Sequence, residues 1–312
     1  MHNFTIFTTT YNRYKYLERL YESLKDQTEK DFVWLIVDDG STDETASLIK
    51  SFINEGTLDI EYVYKPNGGK HTAMKMGFEM TKTPYMVEID DDDELLPHAI
   101  EVFFKEWEAI EKECKFDIAE IRALSMNDKG EVSGNYDPSV HIGKLDSNYI
   151  EMDWVQKRHF ENITSWKMSL IQKVKIFDDQ DKWLYSKVKL ISESVFWNRV
   201  ARQYNTRYIF EPLRLYHSDA GDSITLSSFS RQKCYNYVFS ILIILNELGN
   251  LVWKNKRQLL KYLAEYLSCG IAVGISKHTL LYQLRGWRQK CLCCLLLFPS
   301  ILYSIRLKRN FS

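Results

Sequence analysis

The chain has 312 residues, 45% of them hydrophobic and 27% charged, enough for one large core or two of ordinary size, which excludes a chain too polar to fold. A net charge of −1 gives no electrostatic footprint for nucleic acid, but the charge is uneven: from Leu251 onward eleven Lys or Arg face Glu265 alone. The last fifth therefore reads as a basic module on an acidic one.

In chain order, FTIFTT (4–9) is a short β-rich run, and Leu17, Leu20, Tyr21 and Leu24 follow at helical spacing. FVWLIV (32–37) is a continuous apolar run of the kind buried on both faces of a parallel sheet. It ends in DDGSTDET, where Ser41, Thr42 or Asp43 can cap the helix TASLIKSFI. IEYVY (60–64), the loop KPNGGK, a helix over about 71–81 and YMVEI (85–89) complete a strand–helix rhythm that predicts βαβ units, a parallel sheet and ligands at the carboxyl ends of the strands. The loops TTTYNR, VDDGSTD and IDDDDE all fall at such ends. A helix near 97–110, a strand DIAEIRAL (117–124) and a helix VFWNRVARQY from 195 follow, with IFEPLRLYHSDAGDS bridging to a helical pattern from 229.

The run Asp90 to Asp93 concentrates like charge, which raises carboxylate pKa values and calls for a neutralising cation. In an extended segment Asp90 and Asp92 would project to one side and Asp91 and Asp93 to the other. A calcium loop of the D-x-D-x-D-G type does not fit, because Leu95 and Leu96 follow without a glycine. TTTYNR has no glycine either, which removes a dinucleotide-binding turn and, with it, a dehydrogenase. The six cysteines form no secreted-type framework, and CLCC (291–294) lacks the second pair or histidine of a metal site. The N-terminal MHNFTIFTTT carries no basic leader region, so a cytoplasmic location is expected.

Taken together, TTYNR (9–13), VDDGSTD (37–43), NGGKHTAMKMG (67–77) and IDDDDELLP (89–97) resemble glycosyltransferase family 2, the inverting sugar transferases of GT-A fold, over roughly residues 4–225. The resemblance implies an α/β fold: a Rossmann-like three-layer α/β/α GT-A domain over 1–225, with a nucleotide-binding half to about 97 and an acceptor half from 98. A basic helical region over 226–312 follows. By the same resemblance Tyr11, with Thr9 beside it, stacks on the nucleobase, Asp39 accepts the imide hydrogen of uracil, and the donor is a UDP-sugar. Lys70 or Lys75 meets phosphate, while His71 reads as a packing residue. Asp90 and Asp91 face the nucleotide, and Asp92 holds Mn²⁺ or Mg²⁺ against the diphosphate. Asp93 orders the loop behind.

Inversion also needs a base on the acceptor hydroxyl. The family's paired acids correspond to Glu193-Ser194 in ISESVFWNRVARQY, so Glu193 is the expected base, Asp222 the reserve, and the second acid is replaced by Ser194. His217 in RLYHSDAGDS corresponds to a late metal or diphosphate ligand of several GT-A enzymes, with Arg214 as helper. A non-catalytic nucleotide-sugar-binding protein is the alternative that Ser194 leaves open; a sugar-nucleotide nucleotidyltransferase is disfavoured by the missing G-x-G-T-R loop.

The stretch CLCCLLLFPSILYSI (291–305) reaches about 22 Å as a helix, short of a hydrocarbon core of about 30 Å, and contains Pro299. Flanked by Trp287, Arg288, Lys290, Arg306, Lys308 and Arg309, it reads as an element lying at a membrane surface, or as one packed on the domain or a second subunit. A membrane-surface position, on the inner face of the cell membrane, implies a glycan or polyprenyl-diphosphate-linked acceptor, as in bacterial surface-polysaccharide assembly (O-antigen or capsule).

Overall fold

The computed structural model describes residues 2–309 and 311, apart from 133, 135, 140, 176–187 and 218–229. Asp222 lies outside the described residues. Two compact units result: the described residues of Met1–Asp153, Lys157–Ile176 and Val200–Gly221 make the first, and those of Trp154–Gln156, Phe177–Arg199 and Asp222–Ser312 the second.

In the first unit the expected alternation is found: β1 (Phe4–Thr10), α1 (Tyr14–Lys25), β2 (Phe32–Asp38), α2 (Thr45–Glu55), β3 (Ile60–Tyr64), α3 (Lys70–Met80), β4 (Tyr85–Glu88). The short β5 (Glu94–Leu95), α4 (Ala99–Lys112), β6 (Ile118–Met126), β7 (Lys144–Ser147), β8 (Asn162–Lys167), α5 (Met168–Ile171) and β9 (Asn205–Leu215) follow. One sheet runs β3-β2-β1-β4-β8-β6-β9-β5, with β7 also paired to β9. Strands β1 to β4 are parallel, as the buried apolar runs predict, but β8 is antiparallel to both β4 and β6. The sheet is therefore mixed rather than wholly parallel.

Packing follows the sequence pattern. Leu17, Leu20, Tyr21 and Leu24 put the apolar face of α1 into the core, where Tyr21 stacks on Phe52 at 4.0 Å. Two buried indoles find partners: Trp34 Nε1 donates to Thr8 Oγ1 at 3.1 Å and Trp107 Nε1 to Ser165 Oγ at 2.9 Å. Gly77 lets α3 lie against β1, since a Cβ there would come 2.1 Å from the Phe7 ring.

The second unit is helical: α6 (Glu193–Ala201, whose last two residues fall in the first unit), α7 (Arg231–Leu248), α8 (Lys256–Ala272), α9 (Lys277–Gln283) and α10 (Trp287–Lys308). Ser230, Asn255 and Ser276 cap α7, α8 and α9 with side-chain oxygens. The C-terminal apolar stretch is longer than its apolar run suggests. Helix α10 continues through Pro299 for 22 residues, about 33 Å at 1.5 Å per residue. Pro299 is exposed and costs the helix one backbone hydrogen bond without ending it. Reach alone therefore does not rule out a membrane span: α10 and Arg231–Lys254 are both long and apolar enough by length and composition.

Candidate active site

Three loops converge at the carboxyl ends of β1, β2 and β4, where parallel register places Thr10 beside Asp38 and Phe7 beside Glu88. After β1, Thr9 is half-buried, Tyr11 is 47% exposed and Asn12 turns the chain through the left-handed region at φ 55°. Asn12 then bridges to the β2 loop: its side-chain Oδ1 accepts from Thr42 N at 2.7 Å, and its backbone N–H donates to Ser41 Oγ at 2.8 Å. Tyr11 thus has an open ring on a loop pinned at its next residue. None of the three capping candidates holds the N-cap of α2, which is Glu44 without a side-chain cap bond; Asp43, one residue earlier, accepts from Thr45 N at 3.1 Å.

Asp38, which ends β2, and Asp39 after it are both buried and hold different partners. Asp38 is fully buried, accepting from Ser41 N and from the Tyr62 hydroxyl, each at 2.7 Å. Asp39 gathers the glycine loop: Oδ1 accepts from Gly68 N at 3.0 Å, Oδ2 from Gly69 N at 2.7 Å, and Lys65 Nζ pairs with Oδ1. Gly40 at φ +89° allows this, because a Cβ there would lie 2.6 Å from Asn67 N. Gly69, at φ 92°, starts α3.

From α3, Lys70 reaches Asp90, Nζ to Oδ1 at 2.7 Å, whereas Lys75 pairs with Glu79 on its own helix at 3.7 Å. His71 is buried, as a packing residue would be. The acidic run is not extended. A turn follows β4, with Asp93 N donating to Asp90 O at 3.3 Å, so the expected alternation of sides is replaced by convergence. Carboxylate oxygens of Asp90, Asp92 and Asp93 all lie within 4.8 Å of one another. A turn does this because it removes the two-residue period that separates neighbouring side chains in a strand.

Cations ring the cluster. Arg13 Nε donates to Asp91 Oδ1 at 2.9 Å and its terminal nitrogen pairs with Asp92, while Arg214 Nη1 lies 3.5 Å from Asp93 Oδ2. The Lys70 ammonium holds Asp90 low, at about 2. Burial, with the neighbouring carboxylates adding to it, lifts Asp91 and Asp93 to about 7 against the pull of Arg13 and Arg214. Asp92 is raised by burial and by Asp90. Three convergent hard oxygen ligands from Asp90, Asp92 and Asp93, the last lifted to about 7 by burial, suit a divalent cation such as Mn²⁺ or Mg²⁺.

His217 belongs to the edge of this cluster. Its backbone N–H donates to Asp93 Oδ1 at 3.1 Å, and its ring is turned to Glu94 (2.7 Å) and Asp128 (3.0 Å). Glu193 is half-buried at the start of α6, in the second unit; beside it, the Ser194 hydroxyl meets Ser192 Oγ at 2.7 Å. Arg13 and Lys65 were not singled out by sequence reasoning. The available signal was charge matching: each is a cation in a strand-end loop facing a loop with surplus acid.

Residues 5–124 match the family model for glycosyl transferase family 2. A teichoic acid poly(glycerol phosphate) polymerase of Staphylococcus epidermidis is 34% identical over 108 residues, which is 34% of this chain and 15% of that protein. The chain thus matches a minor part of such relatives' length. Among solved structures, S. aureus TarS 1-349 in complex with UDP-GlcNAc superposes with a TM-score of 0.63 at 16% identity, covering 99% of this chain and 90% of that one. The mannosyltransferase PcManGT from Pyrobaculum calidifontis, in complex with GDP-Man and Mn²⁺, gives 0.55 at 14% identity, covering 97% and 87%. Residues 5–124 are thus similar to glycosyl transferase family 2, and the chain has an α/β GT-A fold with helices at its C-terminus.

Proposed function

We propose that the protein is a metal-assisted inverting glycosyltransferase, moving a sugar from a UDP-sugar to a hydroxyl of a glycan or polyprenyl-diphosphate-linked glycan in bacterial surface-polysaccharide synthesis. The observation that carries the reading is the convergence of Asp90, Asp92 and Asp93 at the end of β4, beside the exposed ring of Tyr11 and the carboxylate of Asp39. Tyr11 offers a flat face to the nucleobase, with Thr9 below it. Asp39 accepts the uracil imide hydrogen, exchanging it for a loop donor.

Asp90, Asp92 and Asp93 would hold the divalent cation, with Asp91 behind them on Arg13. Such a cation neutralises the negative charge that develops on the departing diphosphate. Lys70 adds a further positive charge on the phosphate side, and His217 orients Asp93 through its backbone N–H rather than through its ring. Glu193 takes the proton of the acceptor hydroxyl as that oxygen attacks the anomeric carbon from the face opposite the diphosphate. The Mn²⁺ and nucleotide sugars of the two solved structures, and the teichoic acid named for the S. epidermidis relative, support the donor, metal and acceptor classes. With such an acceptor the protein would work at the inner face of the cell membrane.

Hydrolysis and transfer assays with a panel of nucleotide sugars test this. Turnover of a UDP-sugar is expected, lost by roughly 10²–10⁴-fold in Glu193→Gln with UDP binding retained. Normal transfer by that variant moves the base elsewhere. The absence of a second acid, with Ser194 bonded to Ser192, favours a non-catalytic nucleotide-sugar-binding protein as the second reading. Tight UDP-sugar binding with no turnover on any acceptor would select it.

A further inference from the structure

We infer that the outward face of α10 is a docking surface for an anionic lipid bilayer, with the helix lying in the plane of the headgroups. This deepens the membrane-surface location proposed above and rests on it only for the nature of the acceptor.

At about 100° per residue, Leu295, Phe298, Leu302 and Ile305 point within about 40° of one direction. All four are exposed, Leu295 at 77% and Phe298 at 71%. The opposite face, Gln289, Cys293, Ser300, Ser304 and Leu307, is buried, and Gln289 Nε2 donates to Leu245 O at 3.2 Å. A helix folded into water turns its large apolar side chains inward; this one turns Leu307 inward among small and polar side chains, and the large apolar side chains Leu295, Phe298, Leu302 and Ile305 outward. A continuous outward stripe of that kind marks an interaction surface.

The occupant follows from charge. Arg288 and Lys290 lie at one end of the stripe, Arg306, Lys308 and Arg309 at the other, and the sequence holds no acid after Glu265. Pairing with a second copy, parallel or antiparallel, would set basic ends on basic ends. Anionic headgroups supply the complementary charge, and Trp287, 70% exposed, and Tyr303 are aromatics of the type that favour the bilayer boundary. Spanning is disfavoured because the buried face is already packed within its own unit, so a span would carry Gln289, Ser300 and Ser304 into hydrocarbon. Among the described residues, the other segment of spanning length, Arg231–Lys254, is more buried than α10 and reads as a core helix.

Co-sedimentation of the full chain with vesicles of phosphatidylcholine alone, or mixed with phosphatidylglycerol, tests the inference. Binding is expected to the anionic vesicles, weakened by salt, and reduced about tenfold or more in Phe298→Glu/Leu302→Glu. Arg306→Gln/Lys308→Gln, also on exposed positions, should weaken it while leaving the fold intact. Undiminished binding by the double Glu variant, or equal binding to neutral vesicles, overturns the inference, as does a dimer in solution that Phe298→Glu dissolves. The UDP-dependent thermal shift of the same variants should match wild type, so a failure of the nucleotide reading shows separately from a failure here.

Discussion

Arg13 Nε donates to Asp91 Oδ1 at 2.9 Å, and the same guanidinium pairs with Asp92, so a cation from the β1 loop already neutralises part of the acidic cluster. A divalent ion arriving at Asp92 competes with that guanidinium. Arg13→Gln is therefore expected to tighten Mn²⁺ binding in the absence of nucleotide by roughly tenfold, about 1.4 kcal/mol. Titration followed by the electron paramagnetic resonance signal of free Mn²⁺ reads this directly. Unchanged affinity would mean that Arg13 and the metal do not share Asp92.

Asp39 organises the glycine loop by accepting the N–H groups of Gly68 and Gly69 on separate oxygens. In Asp39→Asn one of those positions becomes an amide nitrogen facing a donor, which is expected to cost about 1–3 kcal/mol of stability. Urea denaturation should show that loss, and calorimetry a loss of UDP affinity. A variant with wild-type stability and weakened UDP binding would confine Asp39 to the nucleobase.

Burial lifts Asp91 and Asp93 to about 7, against about 3.9 for an aspartate in an unfolded chain. Between those values the folded protein binds more protons than the unfolded one, so these groups contribute stability at acid pH that is lost as pH rises through 7. A divalent cation held by Asp93 would displace its proton. Added Mn²⁺ should therefore raise Tm more at pH 7.5 than at pH 5.5. An equal gain at both values would remove Asp93 from the metal site.

The elements from β1 to β4 were legible because their signals are local. A continuous apolar run marked β2 and short β-rich runs β1 and β4, and the loops between strands and helices carried their own turn and acid residues. Strand β8, NITSWK, was not legible: it joins the sheet between β4 and β6 through contacts remote in sequence, and no long β-branched run announces it. Strand β9 was hidden by Pro212, which the sheet accommodates where the register on β6 slips from Ala123–Ile209 to Leu124–Pro212. The acids of the cluster were legible as residues but not as a geometry. Extended periodicity separates Asp92 from Asp93, and only the turn after β4 brings them together with Asp90.

The central claim is that the acidic run holds a nucleotide diphosphate through a divalent cation. Calorimetric titration of UDP into wild type and Asp92→Ala, with Mn²⁺ and with EDTA, tests it most directly. Binding by wild type that requires Mn²⁺ and is weakened at least about tenfold, or 1.4 kcal/mol, in Asp92→Ala is the predicted result. UDP binding indifferent both to EDTA and to Asp92→Ala would contradict it.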